Sequence, residues 1–160
     1  MNEIDQDNIA LYPHEARAAH DRLVAALAGR DITVDEPLRL VPRKHAVFKG
    51  SLNGDPVVFR LALSDAEKAT SEKEWSELSR AWAYMASPPL TVSKPLEYVS
   101  NAGLTITSFA LGKGLLHHLW SLQPAARVTP MNLAADWLHK FTSESIEARK
   151  PNRRPWRTWA

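Results

Sequence analysis

Apolar side chains at helical spacing predict a helix near the start of the chain. They recur every three or four positions over residues 13–28, at Ala16, Ala19, Leu23, Ala26 and Leu27. Pro13 suits the first turn of this helix, and Gly29 suits its end.

Alternating apolar and polar residues then predict three strands, over residues 38–41, 46–52 and 56–63. Asn53-Gly54 separates the last two, and it predicts a tight hairpin because both residues tolerate positive φ.

Helical spacing returns after Leu63. Ser64 is a suitable N-cap, and acidic residues follow in the first turn. Pro88-Pro89 ends the helix. Its apolar stripe comprises Trp75, Leu78, Trp82 and Met85.

The rest of the chain predicts two strands followed by helices. The strands cover residues 91–100 and 103–111, and a short helix covers 114–121. Thr129-Pro130 opens a last helix with inward-facing Leu133, Trp137, Leu138 and Phe141. The predicted fold class is α+β, a five-stranded antiparallel sheet with one long packed helix inserted after the third strand.

Composition narrows the range of functions. The chain has 160 residues and a net charge of +2, from 20 basic and 18 acidic residues, which argues against a dedicated nucleic-acid binder. It has no cysteine, so it has no disulfide or thiolate metal site, and its six histidines do not have the spacing of a zinc site. The polar, acidic start and the lack of a long apolar run predict a soluble, cytoplasmic protein without membrane contacts.

The last twelve residues, 149–160, carry five basic residues, two tryptophans and no acid. We interpret them as a plain terminus or as a segment without its partner surface. The alternative is an arm for nucleic acid or membrane, which would combine basic charge with aromatic stacking.

An arginine interrupts the strand predicted over residues 56–63. Phe59, Leu61 and Leu63 would line one face, and Arg60 would lie on the other face between Val58 and Ala62. The pattern alone allows two interpretations: an arginine on a solvated sheet face, or one that points into a cleft.

Four stretches resemble one family. They are VVFR (57–60), SEKEWSEL (71–78), LTITSFALGKGL (104–115) and AADWLHKFTSES (134–145). Their order is similar to that in the N-terminal, nucleotide-binding lobe of the aminoglycoside phosphotransferase and choline kinase-like family, which has the protein-kinase-like fold. The resemblance spans roughly residues 36–145.

The first two stretches imply a phosphate-binding pair. Arg60 stands where the family has a lysine that holds the α and β phosphates of ATP, and Val58 would touch the adenine. The resemblance pairs Arg60 with Glu74 on the long helix, and it leaves Glu72 and Glu77 open as rivals.

The third stretch implies the adenine pocket. Thr107 would guard its back, and the backbone of Ser108, Phe109 and Ala110 would bond the adenine edge. Gly112 and Leu115 fit the end of this motif. In the fourth stretch Trp137 and Leu138 match, but Thr142 stands where the family has a histidine.

The resemblance also implies a division of the chain. Residues 1–35 would be an N-terminal helical segment, 36–111 the small lobe, and 112–160 the linker and first helices of an incomplete large lobe. The family covers the phosphates with a glycine-rich loop, and the corresponding stretch here, VPRKHAVFKG (41–50), has a single glycine, Gly50. Arg43, Lys44 and His45 are therefore candidates to supply positive charge to the phosphates instead.

The motifs for catalysis do not occur in the sequence. There is no H-G-D-x-x-x-x-N loop and no later D-x-D or D-F-G, so no catalytic residue is assigned. We expect Mg²⁺ only with the rest of the large lobe, and we expect this chain alone to be inactive. It would be either part of a longer protein or a naturally short one.

The resemblance thus implies an ATP-binding lobe of a small-molecule phosphotransferase, with ATP and a small hydroxylated substrate as partners of the complete protein. The alternative is a non-catalytic binding or regulatory module on a kinase-like scaffold. A nucleic-acid binder that uses the basic tail is the weakest hypothesis. An uncovered lobe interface would lead the chain to self-associate.

Overall fold

The computed structural model describes residues 9–111 and 114–143 of the chain. The fold is α+β with a five-stranded antiparallel sheet, as the sequence predicted. In chain order the elements are α1 (Pro13–Ala26), β1 (Ile32–Val41), β2 (His45–Leu52), β3 (Asp55–Ala62), α2 (Asp65–Tyr84), β4 (Pro95–Val99), β5 (Leu104–Ser108), α3 (Leu115–Ser121), a 3₁₀ helix (Pro124–Arg127) and α4 (Val128–Ser143).

The strand order across the sheet is β1-β2-β3-β5-β4, and all neighbours are antiparallel. The hairpin between β2 and β3 forms as predicted, because Asn53 (φ 53°) and Gly54 (φ 84°) both adopt the left-handed conformation. The helix α2 lies in the connection from β3 to β4, so β5 can pair with β3 in the middle of the sheet.

The strand β1 is longer than predicted. It begins at Ile32 rather than at residue 38, and its register with β2 shifts on both sides of Pro37. Proline cannot donate to the ladder, so it is tolerated at such an irregular point on an edge strand. Gly50, the glycine considered for the phosphate loop, lies inside β2. A Cβ at this position would be only 2.0 Å from the carbonyl oxygen of Thr33 on β1, so the glycine is what permits the close approach of the two strands.

One face of the sheet is buried by α1. The apolar side chains of α1 and of the residue that ends it are spaced three or four residues apart, are 7% exposed or less and belong to the same core cluster as the sheet: Ala16, Ala19, Leu23 and Leu27. The sheet contributes Phe48 and Phe59, which are both fully buried. Burying a side chain of this size stabilises a fold by roughly 1.5–3 kcal/mol, so this layer contributes substantially to stability.

The helix α2 packs on β3, β4 and β5. Ser64 caps it, since its side chain accepts a hydrogen bond from the Glu67 amide at 3.3 Å. Of the predicted apolar stripe only Met85 is fully buried, whereas Trp75 lies partly exposed and stacks on Tyr98 with ring centroids 6.0 Å apart.

The chain divides into two compact units. The first contains α1, α2 and the sheet. The second contains α3, the 3₁₀ helix and α4. The prediction that Leu133 and Leu138 face inward is wrong, because their exposed fractions are 45% and 56%. No described residue of α4 is buried.

Two sequence predictions, the motif glycine Gly112 and the basic tail 149–160, lie outside the described residues. Among the described residues, no helix is both long and apolar enough to cross a membrane.

Candidate functional site

The arginine in β3 lies on the sheet face opposite the α1 core. Residues paired directly across antiparallel strands point to the same face, and Arg60 pairs with Val47 on β2 and Thr105 on β5. Its neighbours in sequence, Phe59 and Leu61, point to the core and are buried. The strand therefore aims Arg60 at α2.

The guanidinium of Arg60 is held by four protein groups. Nη1 donates to Ser71 Oγ at 2.6 Å and forms an ion pair with Glu74 Oε2 at 3.0 Å. Nη2 donates to Glu67 Oε1 at 2.6 Å and lies 3.3 Å from His45 Nδ1. The Arg60 side chain is only 21% exposed. Both terminal nitrogens are thus occupied, and Arg60 fastens α2 to the sheet.

Helix periodicity explains why three side chains of α2 can contact the same arginine. Glu67, Ser71 and Glu74 are separated by four and three residues, so they lie on one helix face. Ser71 is fully buried, and the side chains of Glu67 and Glu74 are 14% and 53% exposed.

Glu74 is the helix acid that the resemblance pairs with Arg60, and the two do form an ion pair. The rivals face elsewhere. Glu77 forms an ion pair with Arg80, and the charge of Glu72 contributes to the raised pKa of Tyr98, after burial of that ring. The sequence analysis missed Glu67 as a partner of Arg60, because it counted this residue only among the acids that favour the first turn of a helix.

The electrostatics of this cluster favour a neutral His45. Burial lowers the pKa of His45 and the positive charge of Arg60 lowers it further, and both effects outweigh the contact with Glu67 at 2.9 Å. Burial tends to raise the pKa of Glu67, but the hydrogen bond from His45 and the charge of Arg60 hold it below its usual value. One cation and two carboxylates therefore leave the cluster with a net negative charge.

The next row of the same face leads to the predicted adenine pocket. Val58 pairs with Lys49 on β2 and with Thr107 on β5, and all three are partly exposed. Val58 and Thr107, both predicted site residues, are therefore adjacent on the same face as Arg60.

The predicted linker, residues 108–110, begins at the last residue of β5, since Ser108 still pairs with Val57 of β3. The Ser108 amide donates to the Lys94 carbonyl at 2.9 Å, and its hydroxyl accepts from the Lys94 amide at 2.9 Å. The Phe109 amide donates to Pro56 at 3.1 Å. These two amides therefore serve the protein, and the exposed Ala110 is the position whose amide could meet a ligand.

A lysine that the sequence analysis did not single out lies beside this linker. Lys49 projects from β2, and its Nζ is 5.0 Å from the centroid of the Phe109 ring. Alternation along residues 46–52 could have placed Lys49 on the same face as Arg60, but only the register shows that it stands next to Val58.

The turn between β1 and β2 contains two of the charges proposed for the phosphate loop. Arg43 has φ 61°, and its backbone amide donates to Glu15 on α1 at 2.6 Å. Lys44 is exposed. The third candidate, His45, belongs to the Arg60 cluster. The turn is thus tied to α1 by its backbone, which leaves both basic side chains at the surface.

An open groove of about 650 Å³ lies elsewhere in the first unit, between α1 and β1. Its lining includes Arg17, His20, Asp35 and Glu36, and it contains none of the predicted nucleotide-binding residues. No cluster of three or more metal-ligating side chains exists within residues 9–111 and 114–143.

Comparisons with known proteins leave this geometry as the main evidence: no family model, curated protein or solved structure matches the chain.

Proposed function

We propose that this chain is the ATP-binding lobe of a small-molecule phosphotransferase. The observation that carries the proposal is the cation of β3 held by acids of the helix that follows it, on a sheet face that continues to Val58, Thr107 and the linker. The residues thus fit a nucleotide whose base lies against Val58 and the linker and whose phosphates point along the face.

In this proposal Arg60 is a positioning residue. Because four protein groups surround its terminal nitrogens, a phosphate would have to displace Glu74, Ser71, Glu67 or His45 to reach them. Glu74 is the most exposed of the ionic partners and the least costly to displace. Arg60 then holds α2 in place and keeps the face in shape for the ligand.

The base would be held mainly by shape and by one linker amide. Val58 would contact the flat face of the base, and Thr107 lies beside Val58 on the neighbouring strand β5. The amides of Ser108 and Phe109 are occupied by protein carbonyls, so the base edge would take its hydrogen bond from Ala110.

Phosphoryl transfer is not expected from this chain alone. The acceptor hydroxyl needs an orienting carboxylate, and Mg²⁺ needs acidic ligands. The sequence lacks the corresponding motifs, and the described residues contain no metal-ligating cluster. The proposal therefore covers only ATP binding by this chain; phosphoryl transfer to a small hydroxylated substrate would need a carboxylate and metal ligands that the described residues do not supply.

The experiment is an ATP titration of the wild type and Val58→Phe by isothermal calorimetry. A phenyl ring at Val58 would fill the floor of the proposed base site, so we expect ATP affinity to fall at least tenfold. Val24→Phe is the matched control, because Val24 is 41% exposed on α1, away from this face. Equal ATP affinity in the wild type and both variants would refute the site, as would the absence of ATP binding.

A second candidate is a non-catalytic binding module on the same scaffold. Large apolar side chains in the second unit favour it, since Leu116, Trp120 and Leu138 are 66%, 70% and 56% exposed. Such surfaces are typical of protein contacts. Sedimentation velocity over a range of concentrations tests for self-association; a Leu138→Lys variant should remove it, and a monomer at all concentrations would contradict it.

A further inference from the structure

The Arg60 cluster is an unfavourable place for an anion. Its net charge is negative, and the arginine is already bonded to Glu67 and Ser71 at 2.6 Å. A phosphate that approached it would be repelled by two carboxylates and would gain few new hydrogen bonds. If the proposed nucleotide binds this face, its phosphates need positive charge from another residue.

Lys49 is placed to supply that charge. Val47 pairs with Arg60 and Val58 pairs with Lys49, so Lys49 is a diagonal neighbour of Arg60 on the same face. In antiparallel sheets such diagonal neighbours lie about 7–8 Å apart, within reach of long side chains. Lys49 thus stands between the Arg60 cluster and the linker, where the ligand would lie.

The present contact of Lys49 is weak and easily exchanged. Its ammonium lies over the Phe109 ring at 5.0 Å, and no ion pair involves it among the described residues. A partly exposed cation–π contact is much weaker than an ion pair with a doubly charged phosphate in a sheltered site. The flexible four-carbon stem can turn the ammonium from the ring to a phosphate without moving the backbone.

The other same-face cation, Arg39, is less well placed. It pairs with Val47 from the edge strand β1, two strands away from Arg60, and its side chain is exposed. Its charge contributes to the lowered pKa of His45, after burial and the charge of Arg60. Lys49 is the better placed of the two, since its ammonium already lies over the ring of Phe109 in the linker.

We infer that Lys49, rather than Arg60, is the residue that binds the phosphates of the ligand. This inference rests on the proposed function, and it departs from the role that the resemblance gives to the β3 cation. Lys49 would bind anion directly, while Arg60 would position α2. The ligand class is a nucleoside polyphosphate, with the base beside the linker and the phosphate chain over Val47.

The test compares ATP, adenosine and inorganic tripolyphosphate as separate calorimetric probes. With Lys49→Gln we expect ATP and tripolyphosphate affinity to fall about tenfold or more, the usual scale for losing one charged hydrogen bond. Adenosine affinity should change by less than about twofold, since it carries no phosphate. Lys73→Gln, an exposed lysine of α2, is the matched control and should leave all three affinities unchanged.

The outcomes separate the two proposals. If neither ATP nor adenosine binds the wild type, the proposed function fails. If ATP binds but Lys49→Gln binds it as well as Lys73→Gln does, the inference about Lys49 fails while the proposed function stands. A conservative Lys49→Arg variant should restore most of the ATP affinity, and no recovery would contradict a charge-based role.

Discussion

Replacing Arg60 by glutamine should loosen α2 from the sheet. The substitution removes a cation that forms ion pairs with Glu67 and Glu74 and a hydrogen bond with Ser71. Glu67 is 14% exposed, so its carboxylate would remain largely buried without its strongest partner. Burial of an unpaired charge is the main cost.

The magnitude follows from the exposure of each partner. Removing one member of a buried ion pair costs about 3–5 kcal/mol, whereas exposed pairs contribute about 0–1 kcal/mol. Arg60 and Glu67 are partly buried, so we expect Arg60→Gln to lower the free energy of unfolding by roughly 3 kcal/mol and Glu67→Gln by roughly 2 kcal/mol. Glu74→Gln should cost less than about 1 kcal/mol because Glu74 is half exposed.

Urea denaturation followed by far-ultraviolet circular dichroism measures these costs, and a double-mutant cycle isolates the pair. We expect a coupling of about 1–2 kcal/mol between Arg60 and Glu67, and less than about 0.5 kcal/mol between Arg60 and Glu74. Equal couplings, or a loss below about 0.5 kcal/mol for Arg60→Gln, would refute the view that Arg60 fastens α2 through Glu67.

Three further predictions concern stability. Acidification from pH 7 to pH 5 should destabilise the wild type more than His45→Gln, because the folded pKa of His45 is below its ordinary value and the unfolded state takes up the proton first; parallel pH profiles would contradict this. Gly50→Ala should cost more than about 2 kcal/mol in thermal unfolding, since its Cβ would meet the Thr33 carbonyl at 2.0 Å, whereas Gly114→Ala has open space and should change little. Ser64→Ala should cost about 1 kcal/mol through loss of the α2 cap, with Ser64→Asp close to wild type in urea denaturation.

The sequence predicted turns and helix starts correctly where a particular residue type favours the local backbone conformation. Asn53-Gly54 predicted the hairpin because few residues adopt positive φ, and Ser64 predicted the start of α2 because its side chain satisfies an amide of the first turn. The start of β1 was missed because the register irregularity around Pro37 interrupts the alternation of the strand.

The site was only partly predictable, because it depends on register between distant strands. Alternation placed Arg60 on the face away from the core, but Glu74 was paired with it only through the family resemblance, with Glu72 and Glu77 left open. Glu67 and His45 were missed as partners of Arg60, since an acid in the first turn of a helix and a basic residue in a turn are both common without any such contact. The proximity of Lys49 to Phe109 depends on how β2, β3 and β5 align, which no local pattern specifies.

The exposed face of α4 shows a different limit. Spacing correctly identified a helix with an apolar side, but spacing does not say what that side contacts. Leu133 and Leu138 fit the pattern of a buried stripe and yet remain exposed.

An ATP titration followed by amide chemical shifts tests the central claim most directly. If a nucleotide lies on the sheet face beside Arg60, the signals of Val47, Lys49, Val58 and residues 107–110 should move together and saturate with one affinity. Signals that stay still up to millimolar ATP, or that move only in the basic segment 149–160 or in the groove between α1 and β1, would contradict it.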